Sequence, residues 1–418
     1  MATVVRLRLA TTWLLVPVAA AILLSICVST TRRAPQLPPV VVVPGYATNE
    51  LDARLTELYC PSSPRCGARK GEGWFRLFLN YTALKDAADV RCFAEQMAAV
   101  YDAASDDYRN APGVETRVPF FGSTRGFRYP DPDRRNFSYM DKFVSRLEEL
   151  GYRDGETLFG APYDFRYAVA PPGHPSRVGD AIFGRLKRLV ERASRINGGR
   201  PVTVAHSYGG TLAHQFLLRR SLPWRRRFVP VAAPWGGVVL GMLTLVAGNN
   251  LGLPFVDPLA LWGEYRSLQS SLGPLPNTNA FGAGKPLVTT RSRTYTAHDV
   301  ADFLDDIGMG AAIGPYQSRV LPLLRELPSP RVPVACAVAV GVDTPEMLAY
   351  PGGDFHVTPR MVMGDGDGLV NLASLLAVDP AWRRPAAYFR ILEVRNVSHT
   401  GLFVDDAALA VINLCSFS

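Results

Sequence analysis

This chain is poor in the residues that metal and nucleotide chemistry require. Its 418 residues hold six histidines and six cysteines, with no His-x-x-x-His or Cys-x-x-Cys pair, which removes the common zinc sites. The stretch Gly282-Ala-Gly-Lys-Pro286 has neither the glycine spacing nor the Ser/Thr after lysine of a phosphate-binding loop. Gly364-Asp-Gly-Asp-Gly368 resembles a calcium loop, but Leu369 and Leu376 fall where an EF-hand needs oxygen ligands. Basic residues exceed acidic ones for a net charge of +8, yet they are scattered, with small clusters at Trp224-Arg-Arg-Arg227 and Arg383-Arg384. Nucleic-acid binding wants a basic stripe with interleaved aromatics and is not expected; anionic lipid headgroups suit the charge better. No metal and no cofactor are expected.

What is abundant is apolar surface, 48% of the residues, enough for the large core of one elaborated catalytic domain. Residues 1–33 differ in kind. Arg6 and Arg8 precede sixteen residues from Trp13 to Val28 that are almost all apolar, and Arg32 and Arg33 follow. This reads as a secretory signal-anchor or a signal peptide, with no clear Ala-x-Ala cleavage site. A proline-rich linker, Ala34-Pro-Gln-Leu-Pro-Pro39, leads to the domain at 34–418. The expected location is the lumen of the endoplasmic reticulum or another endomembrane compartment, single-pass anchored, or outside the cell. Secretory entry gives meaning to the sequons at Asn80, Asn136 and Asn396, of which Asn396 adjoins His399 and is expected to stay unmodified. Five cysteines lie outside the anchor: Cys60, Cys66, Cys92, Cys336 and Cys415. In an oxidising lumen Cys66 and Cys92 can close a loop around Trp74, and odd parity leaves at least one free thiol.

The chemistry centres on Pro201-Val-Thr-Val-Ala-His-Ser-Tyr-Gly-Gly210, an apolar run that turns on small residues and continues as the helical pattern Thr211-Leu-Ala-His-Gln-Phe-Leu-Leu218. A strand, a tight turn and a helix start in this order form a nucleophile elbow, with Ser207 raised above a sheet and the Tyr208 amide behind it. Ala205 replaces the usual first glycine. Hydrolases of this kind place the acid after a later strand and the histidine near the C-terminus. Val362-Met-Gly-Asp-Gly-Asp-Gly-Leu-Val370 and Asn396-Val-Ser-His399 meet both conditions. Of Asp365 and Asp367 we favour Asp367, because Val370, three positions on, can anchor the loop. His356, just before the acid, is the competing base; His399 is preferred on chain order.

Uniformly apolar runs at 39–44, 201–205, 228–233, 332–339 and 388–394 read as buried parallel strands alternating with amphipathic helices. One helix starts at Ser138-Tyr-Met-Asp141 with a capping-box-like spacing and Met140, Phe143, Leu147 and Leu150 on one face. Another covers 177–194 with a basic outer face. The alternation indicates a doubly wound α/β sheet. Two longer segments, a lid at about 52–95 and a cap at about 235–330, are expected above the site. Trp74, Phe75 and Phe78, at near-helical spacing, are candidates for insertion at a bilayer interface or for packing beneath the cap. The loop Gly45-Tyr-Ala-Thr-Asn49, after the first strand, can hold a second oxyanion donor.

Together Val43-Pro-Gly45 with Asn49 and Leu51, Gly160-Ala-Pro-Tyr-Asp-Phe-Arg166, His206-Ser-Tyr-Gly-Gly210, Ala233-Pro-Trp-Gly-Gly237, Gly364-Asp-Gly-Asp-Gly368 and Ser398-His399 resemble the lecithin:cholesterol acyltransferase family, above all its plant branch. The resemblance runs from about residue 38 to 405. It implies an α/β-hydrolase fold in which Ser207, Asp367 and His399 form a catalytic triad and the Tyr46 and Tyr208 amides form the oxyanion hole. It also implies a Cys66–Cys92 disulfide closing a membrane-contacting lid. The implied reaction moves an acyl chain from a phospholipid to a sterol or another lipid alcohol; water as acceptor would make the protein a phospholipase A or lysophospholipase. A lipid-binding protein with a silenced site is the third reading. Two departures bear on efficiency. The family's Pro-Gly-x-x-Gly-Asn reads Pro44-Gly-Tyr-Ala-Thr-Asn49, and its Asp-Gly-Thr-Val reads Asp367-Gly-Leu-Val370.

Overall fold

The computed structural model describes residues 37–135, 138–220, 227–383 and 389–417. Residues 1–33, the sequon at Asn136 and Trp224, Arg225 and Arg226 lie outside them. No helix among the described residues is long and apolar enough to cross a membrane.

Six parallel strands make the central sheet, in the order Phe389–Arg395, Val334–Val340, Arg227–Val231, Val202–His206, Val40–Val43, Leu158–Gly160. The Val40–Val43 strand is 0–1% exposed throughout, as β-branched residues with both faces covered should be. Helices Arg177–Asn197 and Tyr208–Arg219 pack on it, and helix Asp406–Phe417 covers the far end. The chain first adds a strand on one side of Val40–Val43, then returns and builds outward on the other. The order therefore reverses between Val40–Val43 and Val202–His206, and the crevice beyond their carboxyl ends is where such sheets bind ligands. This is the α/β-hydrolase fold.

Five of the six strands coincide with the apolar runs of the sequence. The sixth, Leu158–Gly160, is only three residues long, too short for periodicity to register. Helix Asp141–Glu149 also departs from expectation in detail. Ser138 does not cap it, because Met140 precedes the first turn and gives no side-chain hydrogen bond. Phe143, Val144 and Leu147 are buried, while Leu150 lies past the last turn and is 54% exposed.

Two smaller assemblies flank the crevice. In the first, Leu51–Leu55 pairs antiparallel with Phe75–Phe78 and with Val114–Arg117. Trp74, Phe75 and Phe78 thus lie at the edge of a small sheet rather than on a helix. Phe78 is 2% exposed and packs on Phe165 and Phe93, so it is a core residue and not a bilayer contact. Trp74 and Phe75 are half-buried, with Arg54 and Arg117 against the Trp74 ring and Arg69 over Phe75. The Cys66–Cys92 disulfide, with Cα atoms 4.8 Å apart, ties the preceding loop to helix Ala87–Met97.

In the second assembly, helices from Val239–Ala247 to Val300–Asp306 enclose their own core of Met242, Leu245, Phe303 and Leu304. That core is completed by Leu348 and Tyr350 from the hairpin of Val342–Tyr350 and Arg360–Gly366. The hairpin lies beyond the 235–330 segment read from the sequence, and it ends one residue before Asp367.

Closing the loop between Cys66 and Cys92 restricts the unfolded chain by about 3 kcal/mol. A Cys66→Ser/Cys92→Ser protein is expected to lose about that much stability, measured by equilibrium denaturant unfolding.

Candidate active site

Ser207 stands between strand Val202–His206 and helix Tyr208–Arg219 with φ 52° and ψ −129°. A non-glycine residue in this region is strained, and the surroundings hold it there. Its amide donates to the Val231 carbonyl at 2.8 Å, and its own carbonyl accepts from the Gly210 amide at 2.8 Å. The turn needs glycine two residues on, since a Cβ at Gly209 would lie 2.1 Å from the Pro44 carbonyl oxygen. The first-glycine position tolerates Ala205, fully buried in the strand.

Of the two candidate carboxylates, the structure brings Asp367 to the imidazole. Asp367 Oδ2 is 2.7 Å from His399 Nδ1, and the His399 amide donates to the Asp367 carbonyl at 2.8 Å. The other carboxylate oxygen accepts the amides of Leu369 at 3.0 Å and Val370 at 2.7 Å. Val370 is fully buried, as an anchor of this loop should be. Asp365 is exposed and accepts from the Gly341 amide; His356 is exposed beside Asp354. The imidazole of His399 lies beside the elbow, its ring centroid 4.7 Å from that of His206. The Ser207 hydroxyl makes no hydrogen bond to it here, a contact that in such sites often tightens only around substrate.

The loop after the first strand lies against the same turn. A Cβ on Gly45 would sit 3.3 Å from the Ser207 Cβ and 3.0 Å from His206 Nδ1, so a side chain here would press on the elbow. The family's glycine is replaced by Thr48, yet the left-handed residue of the turn is Ala47, with φ 52°. The Thr48 hydroxyl donates to the Gly45 carbonyl at 2.9 Å and closes the turn. Asn49, fully buried, clamps the backbone of Tyr163 at both its amide and its carbonyl. Among the described residues neither the Tyr46 nor the Tyr208 amide donates to a protein acceptor outside regular structure, and Tyr208 opens its helix, where amides have no intrahelical partner. Both residues line the same cavity as Ser207.

One participant was not singled out in the sequence. Tyr139 is buried, accepts the Gly45 amide at 3.0 Å and is 2.5 Å from His206 Nδ1. The Tyr139 hydroxyl thus bridges the Gly45 amide and the His206 ring. Burial, reinforced by the neighbouring His399, holds His206 well below the usual histidine range, so it stays neutral. The Tyr46 ring meets Phe165, Tyr208 and Tyr265 edge-on. Behind this cluster Asp164 and Arg166 form a buried ion pair at 2.7 Å. These contacts give physical reasons for the Asn49 and Gly160–Arg166 motifs. A cavity of about 180 Å³ opens on Ser207, walled by Tyr46, Tyr208, Val238, Leu240 and Leu369. The Leu369 departure thus lines the cavity, while its backbone still serves Asp367. Among the described residues no group of three or more His, Cys, Asp or Glu side chains could hold a metal ion.

The chain matches the lecithin:cholesterol acyltransferase family over residues 74–321, and it is 48% identical to lecithin-cholesterol acyltransferase-like 1 of Oryza sativa subsp. japonica, covering 90% of this chain and 86% of that protein. It belongs to the lecithin:cholesterol acyltransferase family. Lecithin-cholesterol acyltransferase-like 1 of Arabidopsis thaliana is 44% identical over 90% of this chain and 88% of its own length. The lysosomal phospholipase A and acyltransferase of Homo sapiens is 32% identical over 90% of this chain and 89% of its own. Among solved structures, a chain of the Tle4–Tli4 complex aligns with 92% of this chain and 100% of its own at 11% identity and a TM-score of 0.48. Family membership and fold make the protein an acyl-transferring enzyme of the hydrolase fold that acts on lipids.

Replacing Tyr139 by Phe strips a buried amide and a buried imidazole of their shared partner. We expect kcat on a soluble short-chain ester to fall about tenfold with KM little changed, read from steady-state kinetics beside the unfolding midpoint.

Buried titratable groups also set a pH window. Burial lifts the Glu264 carboxyl to about 8 against the pull of Arg166, and lifts Glu50 to about 7 against Arg76. Each binds its proton more tightly folded than unfolded, so its stabilising contribution is complete in acid and is lost as pH rises toward those values. Burial lowers His214 to about 4 and holds His206 well below the usual histidine range; their contributions are complete above the ordinary histidine value of 6.5 and are lost as pH falls from there toward the folded values. The opposing slopes cancel between the ordinary carboxyl and histidine values, and the maximum from these groups lies at about pH 5.5. Thermal unfolding midpoints between mildly acidic and mildly alkaline pH should show it, and Glu264→Gln should flatten the alkaline limb.

Proposed function

We propose that Ser207 is the nucleophile, His399 the general base, Asp367 the residue that orients it, and the Tyr46 and Tyr208 amides the oxyanion hole. His399 removes the Ser207 proton as the hydroxyl oxygen attacks an acyl ester of a phospholipid. The tetrahedral oxyanion is held by the two amides until the ester bond breaks. His399 then gives its proton to the departing lysophospholipid and leaves an acyl-enzyme. The second half runs in reverse: His399 takes the proton of an acceptor hydroxyl, whose oxygen attacks the acyl carbon and frees Ser207. The observation that carries this reading is the buried Asp367–His399 hydrogen bond beside a strained Ser207, with one unengaged backbone amide on the elbow and one on the loop packed against it.

The acceptor in this proposal is a sterol or another lipid alcohol. The apolar walls of the cavity favour such a hydroxyl over water. Water remains the second reading, supported by the relative whose name joins phospholipase A to acyltransferase. A silenced lipid-binding protein is disfavoured, because Thr48 closes the oxyanion turn in spite of the missing glycine. The proposed setting is an oxidising lumen or the cell exterior, consistent with the Cys66–Cys92 bridge and reached through a signal at residues 1–33. Trp74 and Phe75 are the residues of the lid proposed to meet the lipid surface.

The test is product analysis with labelled phosphatidylcholine vesicles, with and without sterol, using Ser207→Ala as control. Labelled steryl ester that is absent with the variant is the expected result. Free fatty acid and lysophospholipid alone would assign water as acceptor, and a product independent of Ser207 would overturn the site.

A further inference from the structure

Alongside strand Val114–Arg117 runs a groove of about 760 Å³ that the acyl-transfer chemistry does not use. It lies between the segment around Val114–Arg117, the loop after Leu158–Gly160 and the first half of helix Arg177–Asn197. Its floor is apolar, with Ile182, Leu186 and Leu212 all at least 92% buried. Its lining also includes four arginines, Arg109, Arg117, Arg177 and Arg185, together with Trp74 and Leu58; Leu58 is 77% exposed.

The charges do not cancel. The groove's two acids are engaged elsewhere, Glu115 with Arg54 and Asp164 with Arg166. Arg109 lies 3.6 Å from Asp102 and Arg117 2.9 Å from Asp52. The Arg177 and Arg185 guanidinium groups make no ion pair among the described residues; Asp107, whose carboxylate accepts the Arg177 backbone amide at 2.8 Å, is paired with Arg319. The Arg185 guanidinium sits 4.1 Å over the Phe121 ring, and burial with the nearby Arg188 weakens its hold on its proton. A partly desolvated guanidinium without a counter-ion is costly and favours an anion beside it.

We propose that this groove seats anionic phospholipid at a bilayer surface, with headgroup phosphates at Arg177 and Arg185 and acyl chain on the apolar floor. Eight residues of helix separate the two arginines, about 12 Å along the axis, which neighbouring headgroups span and a single free phosphate does not. Tryptophan and an exposed leucine beside arginines are the side chains that settle at the headgroup boundary. The proposal rests on the reading of the protein as an enzyme of lipid surfaces, and it adds a second anchorage, separate from the cavity at Ser207, that selects the charge of the surface.

The test is vesicle co-sedimentation of the Ser207→Ala protein, which binds without consuming lipid. Phosphatidylcholine vesicles are compared with phosphatidylcholine vesicles containing phosphatidylglycerol. Binding is expected to strengthen with phosphatidylglycerol, and Arg177→Gln/Arg185→Gln should remove about 30-fold of that affinity with an unchanged unfolding midpoint. Arg188→Gln/Arg192→Gln, on the exposed face of the same helix, should cost clearly less. Equal losses from both pairs would mean diffuse attraction and overturn the groove. So would unaltered binding by the first pair, or displacement of the protein from vesicles by glycerol phosphate. Failure of the enzymatic reading is distinguishable, because it would show as absent Ser207-dependent product while vesicle binding persisted.

Discussion

A carboxylate with none of its surface exposed must have its oxygens bonded or give up its charge, and Asp367 meets that demand with three contacts. One oxygen takes two amides of its own loop and the other takes the His399 imidazole. The loop is in turn fixed by Val370 in the core and by the Thr344 hydroxyl, which accepts the Gly368 amide at 2.9 Å. His399 is thereby held through its backbone as well as its ring. Two chain segments 32 residues apart are locked together at the carboxyl end of the sheet, beside the point where strand order reverses.

The same economy governs the other side of the crevice. The loop after the first strand and the elbow touch at Gly45 and Gly209; at Gly209 the two backbones come closer than a side chain would permit, and at Gly45 a side chain would press on the elbow. Tyr139 then joins the turn to His206, and His206 lies against His399. Its phenol therefore couples the loop proposed to stabilise charge with the loop proposed to move the proton. A neutral His206 suits this place, because a second positive charge 4.7 Å from His399 would oppose formation of the imidazolium that general-base catalysis requires.

What could be read from the sequence was whatever repeats locally. Val40–Val43 and Val334–Val340 announce buried parallel strands by uniform β-branched and small apolar character, and the order of Ser207, Asp367 and His399 along the chain needs no tertiary knowledge. Tyr139 was not legible as a site residue, because its role comes from a contact across 94 residues with Gly45. Nor was the fate of Phe78, which three aromatics at close spacing cannot settle. Its burial depends on Phe165 arriving from the far side of the crevice. The Thr48 departure looked like a defect in the pattern because sequence marks where glycine is missing, not which residue takes the left-handed conformation. That residue is Ala47.

The cap gains a different meaning once the hairpin of Val342–Tyr350 and Arg360–Gly366 is counted with it. Leu348 and Tyr350 lie in the cap core, and the second strand runs directly into the Asp367 loop. Gly366 itself pairs with Asn371 across that loop. A displacement of the cap core would thus reach the acid through five or six residues of paired backbone rather than through a flexible hinge. The walls of the cavity at Val238 and Leu240 begin the first cap helix, while Leu369 and Val370 belong to the acid loop. The lining of the cavity and the carboxylate proposed to orient the base are therefore joined through paired backbone, and a change in the cap core has a direct route to the Asp367 loop.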